Sequence, residues 1–275
     1  MKAARFDYAR PASCEEAIAL LAGSAGAGKV VSGGQSLGAM LNLRLAQPEL
    51  LVDVRHIGAL QACTDDADAV TLGAVTTHAA IEDGRVPDPG RGLLRHVAAG
   101  IAYRAVRNRG TLGGSLAHAD PAADWVNLLP LLGAELLLAG PGGARRVAAQ
   151  AWMSGAFTTA LRDDEILTGV RVPKLSPAAR WSWYKVNRKT GEFAEALGAF
   201  VDDPATGVRR GLVGATDGVP HVFDAAALLD AGWSAAAAGA ELEAAGLEPG
   251  TYEHQIHATA LARALAAVAP PGPRA

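Results

Sequence analysis

Apolar positions along the chain follow two periods in turn. Phe6–Tyr8 reads as a short strand, and Ala17, Ile18, Leu20 and Leu21 then recur at helical spacing. Ser13 and Glu16 stand at the head of that helix as a capping box, and Gly23, Gly26 and Gly28 close it. Lys29–Val31 predicts a second short strand, Leu37–Leu45 a helix with Met40, Leu41 and Arg44 in step, and Leu50–Val54 a buried strand after Pro48. Residues 1–60 therefore read as alternating β and α. Residues 60–175 are mixed. Val70–Ala74 is a strand, Thr76–Ile81 a short helix and Gly84–Gly92 a Pro/Gly loop. His96–Ala105 is a helix and Arg109–Ser115 a glycine-rich turn region. Asp124–Leu132 is a helix with Pro130 near its end, Ala134–Ala139 a strand turning at Gly140–Gly143, and Ile166–Val172 a further strand.

Two prolines mark a seam at Pro173–Pro177. Beyond it, Trp181–Asn187, Glu195–Asp202 and Val208–Ala215 predict three strands, with turns at Thr190-Gly191 and Pro204–Gly207. The pattern then turns helical over Ala225–Ala231, Ala235–Ala244 and His254–Val268, and the tail Pro270–Ala275 is expected to be disordered. Strands followed by helices predict a separate α+β unit. No internal repeat is present.

Composition narrows the partners. The chain has 275 residues, room for two domains, and half of them are hydrophobic, largely alanine. A net charge of -3 gives no electrostatic footprint for nucleic acid or an anionic membrane. Cys14 and Cys63 form no C-x-x-C and cannot ligate a zinc or iron–sulfur centre alone, so no metal site is expected. Free thiols, no apolar leader segment and no bilayer-length apolar run predict a cytoplasmic protein without a transmembrane segment.

Two motifs invite chemistry and have plainer readings. Gly23–Lys29 fits the spacing of a phosphate loop, but Val30 stands where a hydroxyl is needed, and the stretch lies between a helix and a strand rather than the reverse. It reads as a helix C-terminal glycine turn. Gly34-Gln35-Ser36-Leu37-Gly38 fits the nucleophile elbow of a serine acyl hydrolase, with His118, His221 or His254 as base and an Asp such as Asp217 before it. Against that reading, little of a central sheet precedes the elbow and no His-Gly-Gly oxyanion segment occurs.

The stronger signal is a pair of similar loops, Ser32-Gly33-Gly34-Gln35-Ser36 and Thr111-Leu112-Gly113-Gly114-Ser115. Paired glycines let backbone approach a ligand, successive N–H groups form an anion-binding concavity, and hydroxyls add adaptable donors. The helix after the first loop adds a positive dipole end. Two opposed loops suit a pyrophosphate and hence a dinucleotide, without a Rossmann fingerprint. Arg104, Arg107 and Arg109 precede the second loop, and Asp120 and Asp124 follow it. Asp124 reads either as a helix N-terminal residue or as a ligand acceptor; the arginines either pair with Asp120 or Asp124 or face solvent.

The segments Ser32–Leu37, Asn42–Ala46 with Pro48 and Leu51-Val52-Asp53, Gly73–His78, Val106–Asp124, Glu165–Thr168 and Tyr184-Lys185 occur in the order that characterises the FAD-binding medium subunits of molybdenum hydroxylases. In these residues the chain resembles the flavoproteins of the carbon monoxide dehydrogenase and xanthine dehydrogenase family. The resemblance covers nearly the whole chain and is weakest after Leu247, where only Tyr252 and Arg263 match.

That resemblance implies an α+β fold: a PCMH-type (vanillyl-alcohol-oxidase-like) FAD-binding domain over residues 1–176, with α/β subdomains of about 1–56 and 57–176. A small C-terminal domain, a three-stranded antiparallel sheet with helices, would occupy 177–275. Ser32, Gly33, Gly34, Gln35, Ser36 and Leu37 of the first loop and Thr111, Gly113, Gly114 and Ser115 of the second would hold the FAD pyrophosphate. By matching position Ile101, Asp124, Leu167 and Lys185 would also contact FAD, and Phe193 would cover one flavin face. The residue reading keeps a packed strand position open for Phe193 and a solvated one for Lys185. A cation at Lys185 near the pyrimidine edge would stabilise the reduced ring. His78 is open between a buried structural role and a ligand contact. The resemblance further implies a large molybdopterin-binding subunit, a small subunit with two [2Fe–2S] clusters, a dimer of heterotrimers, and an external electron acceptor.

Overall fold

The computed structural model describes residues 2–268; the expected tail Pro270–Ala275 lies outside them. Three larger sheets, one parallel and two antiparallel, carry the described residues, beside a two-stranded one of Met153–Gly155 and Thr158–Thr159. The first is parallel, in the order Asp7–Ala9, Leu50–Asp53, Gly28–Val31. The helix Cys14–Gly23 makes the crossover. The Ser13 side chain accepts from the Glu16 amide, and Glu16 reaches back to the Ala12 amide at 2.7 Å, one residue earlier than a standard capping box. Ala17 and Leu21 of this helix pack with Val52, Val54, Ile57 and Leu60, and the same cluster takes in Val75 and, from the next sheet, Ile166.

The second sheet has five strands, Cys63–Asp65, Ala69–Gly73, Ile166–Pro173, Glu135–Gly140 and Gly143–Ala148, all antiparallel. It is therefore not wound as β-α-β. Strand Ile166–Pro173 runs between Ala69–Gly73 and Glu135–Gly140 and pairs with both, so the helices from 78 to 132 form one block instead of crossovers. The edge strand Cys63–Asp65 and the preceding short helix Gly58–Gln61 had no clear apolar period to announce them.

The third sheet is antiparallel in the order Arg180–Val186, Ala196–Asp203, Val208–Gly214, His221–Asp224. The fourth strand corrects the expected three; its four residues follow a Gly/Pro-rich turn and are too few to show alternation. All eight residues of Ala196–Asp203 are buried because both faces are covered. Leu197, Ala199 and Val201 join the core of Trp125 and Leu128, while Phe200 packs with Leu261 and Leu265 of the helix Tyr252–Val268. That helix lies so close that a Cβ on Gly198 would sit 2.6 Å from the Leu261 backbone nitrogen.

Two further expectations change in ways that matter for the site. The helix expected over His96–Ala105 breaks into Leu93–Ala99 and Arg104–Arg107, because Gly100 ends the first and Ala102 takes a left-handed φ of 43°. The helix Leu37–Asn42 stops short of Leu45, because Arg44 is left-handed at φ 57° and the Leu45 amide bonds back to Met40.

Candidate functional site

The two glycine segments meet. Ser32–Ser36 leaves the C-terminal end of strand Gly28–Val31, and Thr111–Ser115 lies against it: Thr111 Oγ1 donates to Ser32 Oγ at 3.0 Å. A Cβ on Gly33 would overlap the carbonyl oxygen of Arg109, so glycine is what permits this approach.

Their backbones are used differently. Among the described residues, the amides of Gly33, Gly34, Gln35, Ser36 and Leu37 have no hydrogen-bond acceptor. Gly34 is left-handed at φ 71°, and Gln35 and Ser36 are exposed. This segment therefore presents a run of unspent donors, the arrangement that receives an anion. The helix behind it has only six residues, so the local N–H groups carry the positive end rather than a long summed dipole.

The second segment is not the expected loop but the start of the helix Leu112–His118. Its amides are already engaged. Leu112 donates to Thr76 O at 2.9 Å, Gly113 to Ala74 O at 2.8 Å, Gly114 to the capping Thr111 Oγ1 at 3.1 Å and Ser115 to Thr111 O at 3.0 Å. A Cβ on Gly113 would stand 2.7 Å from Ala74 O, whereas the exposed Gly114 turns its open side toward Ser32. The expectation of two amide cradles is thus corrected. This half supplies the hydroxyls of Thr111 and Ser115 and the room above Gly114. A cavity of about 380 Å³ adjoins the junction, lined by Arg55, Thr76, Thr77, Asn108, Arg109 and Thr111 among others. Arg55 is held by Asp53 at 2.6 Å, while Arg109 has no carboxylate partner among the described residues.

A second group gathers around the turn Gly100–Ala102. Lys185 Nζ reaches Asp124 at 2.9 and 3.1 Å and Gly100 O at 3.5 Å. Both side chains are buried, and burial pushes the Asp124 carboxyl above its usual range against the pull of Lys185. Lys185, read from the sequence as a cation near the flavin or a solvated strand residue, is thus paired with Asp124. The arginines are spent elsewhere: Arg104 on Glu82 and Asp83, Arg107 on Glu82 and on the carbonyls of Ile101 and Ala102. Ile101 bridges to Gly191, and the Ala102 amide donates to Gly191 O at 2.8 Å. The turn bearing Phe193, 60% exposed, is fixed there. Leu167 is buried in strand Ile166–Pro173; its neighbour Thr168 accepts from Ala74, whose carbonyl takes Gly113. The clamp made by Arg107 was not foreseen, since three arginines in six residues gave nothing to choose among them.

His78 is 5% exposed and accepts the Trp125 indole N–H on Nδ1 at 3.0 Å. Burial, then the charge of Arg107, pulls its pKa down to about 4, so the ring is neutral at pH 7. Among the described residues no histidine bonds Ser36: His221 pairs with Glu241, His118 lies tilted against Phe157, and His254 stands on the helix Tyr252–Val268. Without a base in reach the elbow reading has no structural support.

Residues 4–175 match the model of the FAD-binding domain in molybdopterin dehydrogenase. The chain belongs to this family. It is a medium-type, FAD-binding oxidoreductase subunit of the molybdenum hydroxylases. It is 37% identical over 192 residues to the carbon monoxide dehydrogenase medium chain of Hydrogenophaga pseudoflava, which spans 70% of this chain and 67% of that one. The nicotine 6-hydroxylase medium subunit of Paenarthrobacter nicotinovorans is 34% identical over 266 residues, 94% and 92% of the two chains. Among solved structures, a carbon monoxide dehydrogenase from Hydrogenophaga pseudoflava lacking the Mo-pyranopterin moiety superposes with a TM-score of 0.86 at 32% identity, covering 98% of each chain. Quinoline 2-oxidoreductase from Pseudomonas putida 86 does so at 0.84 and 32%, again over 98% of each. No helix among the described residues is long and apolar enough to cross a membrane.

Proposed function

We propose that this medium subunit is the flavin station of a molybdenum hydroxylase, taking electrons from the [2Fe–2S] clusters of a small subunit and delivering them to an external acceptor. When bound, FAD supplies a centre able to exchange electrons singly and in pairs. The observation that carries the reading is the junction at Ser32 and Thr111, where a segment with five unspent amides is bonded to a hydroxyl-bearing helix start. Its donor set fits a pyrophosphate: N–H groups for charged oxygens, hydroxyls that rotate to suit, and no carboxylate at the contact.

In this reading Ser32, Gly33, Gly34, Gln35, Ser36, Leu37, Thr111, Gly114 and Ser115 hold the pyrophosphate, and Gly113 seats their helix start on Ala74. Ile101, Asp124, Leu167, Lys185 and Phe193 surround the rest of the cofactor. The Asp124–Lys185 pair ties the third sheet to the helix Asp124–Leu132, so it orders the cofactor's surroundings without adding net charge. FAD-binding residues 1–176, with subdomains 1–56 and 57–176, and a C-terminal domain 177–275 form one working unit, since Leu197 and Trp125 share a core. The partners are a large molybdopterin-binding subunit and the small iron–sulfur subunit, in a dimer of heterotrimers in the cytoplasm.

The isolated chain is expected to show the absorbance of oxidised FAD, or to acquire it on mixing. A folded preparation that stays colourless with added FAD would refute the reading. Size measurement of the complex purified from its native cells tests the dimer of heterotrimers.

A further inference from the structure

His78 opens the helix His78–Glu82, a position where a side chain ordinarily meets solvent, yet it is buried. Its backbone amide donates to Gly110 O at 3.0 Å, the first of three bonds that lay 110–113 alongside 74–78. The Cδ2–Nε2 edge of its ring lies against Gly110, where a Cβ would come 2.8 Å from both atoms. On its other side Nδ1 takes the indole N–H of Trp125, which places the ring proton on Nε2. Trp125 is fully buried and follows Asp124, the partner of Lys185. His78 thus stands between the glycine junction and the Gly100–Ala102 group.

We propose that His78 is a positioning residue of the flavin site: its ring braces the 110–115 segment against Ser32 and, through Trp125, sets that segment relative to Asp124. The inference rests on the FAD reading above. A histidine suits the task because the site needs, on one small ring, an acceptor for a buried indole N–H and an opposite edge against which Gly110 packs. An apolar residue of similar size fills the space but orphans the indole, at the cost of an unpaired buried donor. The Thr111–Ser32 bond at 3.0 Å has little tolerance, since displacement by about 0.5 Å takes it out of hydrogen-bonding range.

The test uses the full chain and five proteins: wild type, His78→Leu, His78→Asn, Trp125→Phe and the double variant His78→Leu with Trp125→Phe, with FAD dissociation constants from equilibrium dialysis and apoprotein unfolding in urea. His78→Leu and Trp125→Phe should each weaken FAD about tenfold or more, and the double variant should fall short of the product of the two, as expected of a shared bond. His78→Asn, whose amide oxygen can take the place of Nδ1, should stay within about threefold of wild type. FAD binding unchanged in His78→Leu, or His78→Asn as weak as His78→Leu, would overturn the inference while leaving the FAD reading standing. If His78→Leu does not fold, Trp125→Phe against wild type and His78→Asn decides the matter by the same criterion. Wild type that takes up no FAD would overturn the functional reading and this inference together.

Discussion

Residues 32–36 and 111–115 carry the same kind of sequence, a Gly-Gly pair between hydroxyl side chains, and do opposite things with it. The first keeps its amides free. The second spends them on a helix start and on the backbone of 74–76. The first therefore offers charge complementarity, while the second offers shape, hydroxyls and rigidity. The difference teaches that a glycine pair marks where backbone comes close to something, not what it comes close to. Gly113 approaches Ala74, Gly33 approaches Arg109, Gly114 approaches the Thr111 hydroxyl, and Gly34 alone of the four keeps open ground around it.

The comparison can be broken experimentally. The largest effect is expected for Gly33→Ala, whose Cβ would strike the Arg109 backbone and push the segments apart. Overpacking of this kind costs about 1–3 kcal/mol, here at the upper end because neither backbone can yield. Flavin occupancy should fall to near zero with a matching drop in urea midpoint. A protein with full occupancy would mean that the segments do not meet.

The next effect is pH-dependent and concerns the second segment alone. His78 resists protonation in the folded chain down to about pH 4, against an ordinary value of 6.5. The unfolded chain therefore binds the proton first. The His78 contribution should be intact above about pH 6.5, shrink as pH falls toward 4, and change no further below it, a total of about 3 kcal/mol. Arg107 is the charge that faces the ring, and it holds the carboxyl of its own partner Glu82 below the usual range by a side-chain hydrogen bond. Urea unfolding of the apoprotein at stepped pH, compared with His78→Asn, isolates the term; identical slopes in both would remove it.

Gly34→Ala sharpens the contrast with Gly114. Gly34 is left-handed with open space around it, so alanine should cost about 1–2 kcal/mol by backbone strain alone. Gly114 is helical, and a Cβ there meets at 2.8 Å the Thr111 hydroxyl that bonds Ser32, a side chain rather than backbone. Gly114→Val should keep the fold and lose FAD. Equal losses of stability in both variants would erase the distinction. The smallest effect is expected for Thr111→Ala, about 1 kcal/mol for the lost helix cap together with the Ser32 contact. Thr111→Ser should restore both, as read by thermal unfolding.

Much of the fold was legible wherever one short stretch contains its own reason. The helix Asp124–Leu132 matches expectation because its apolar face and Gly133 stop are local, and Ala235–Ala244 does so behind its Ser234 cap. Ser13 and Glu16 likewise announced the first helix. The helix Leu112–His118 was not legible, since Gly-Gly disfavours helix by about 2 kcal/mol relative to alanine, and bonds to 74–76 override that preference. The break at Gly100 was hidden for the same reason, as it depends on Gly191 pairing with Ala102. Of the site, the first segment was readable, whereas the Asp124–Lys185 pair joins residues 61 apart and has no signature in either stretch.

By itself, then, the sequence determined the composition of the site: which stretches carry glycines and hydroxyls, where helices are capped, and the family to which those motifs point. These follow from interactions between near neighbours along the chain. The tertiary structure alone decided which amides stay free, which arginine clamps a carbonyl, and that Lys185 meets Asp124. A hydrogen-bonding group is defined by its partner, and the partners here come from distant parts of the chain.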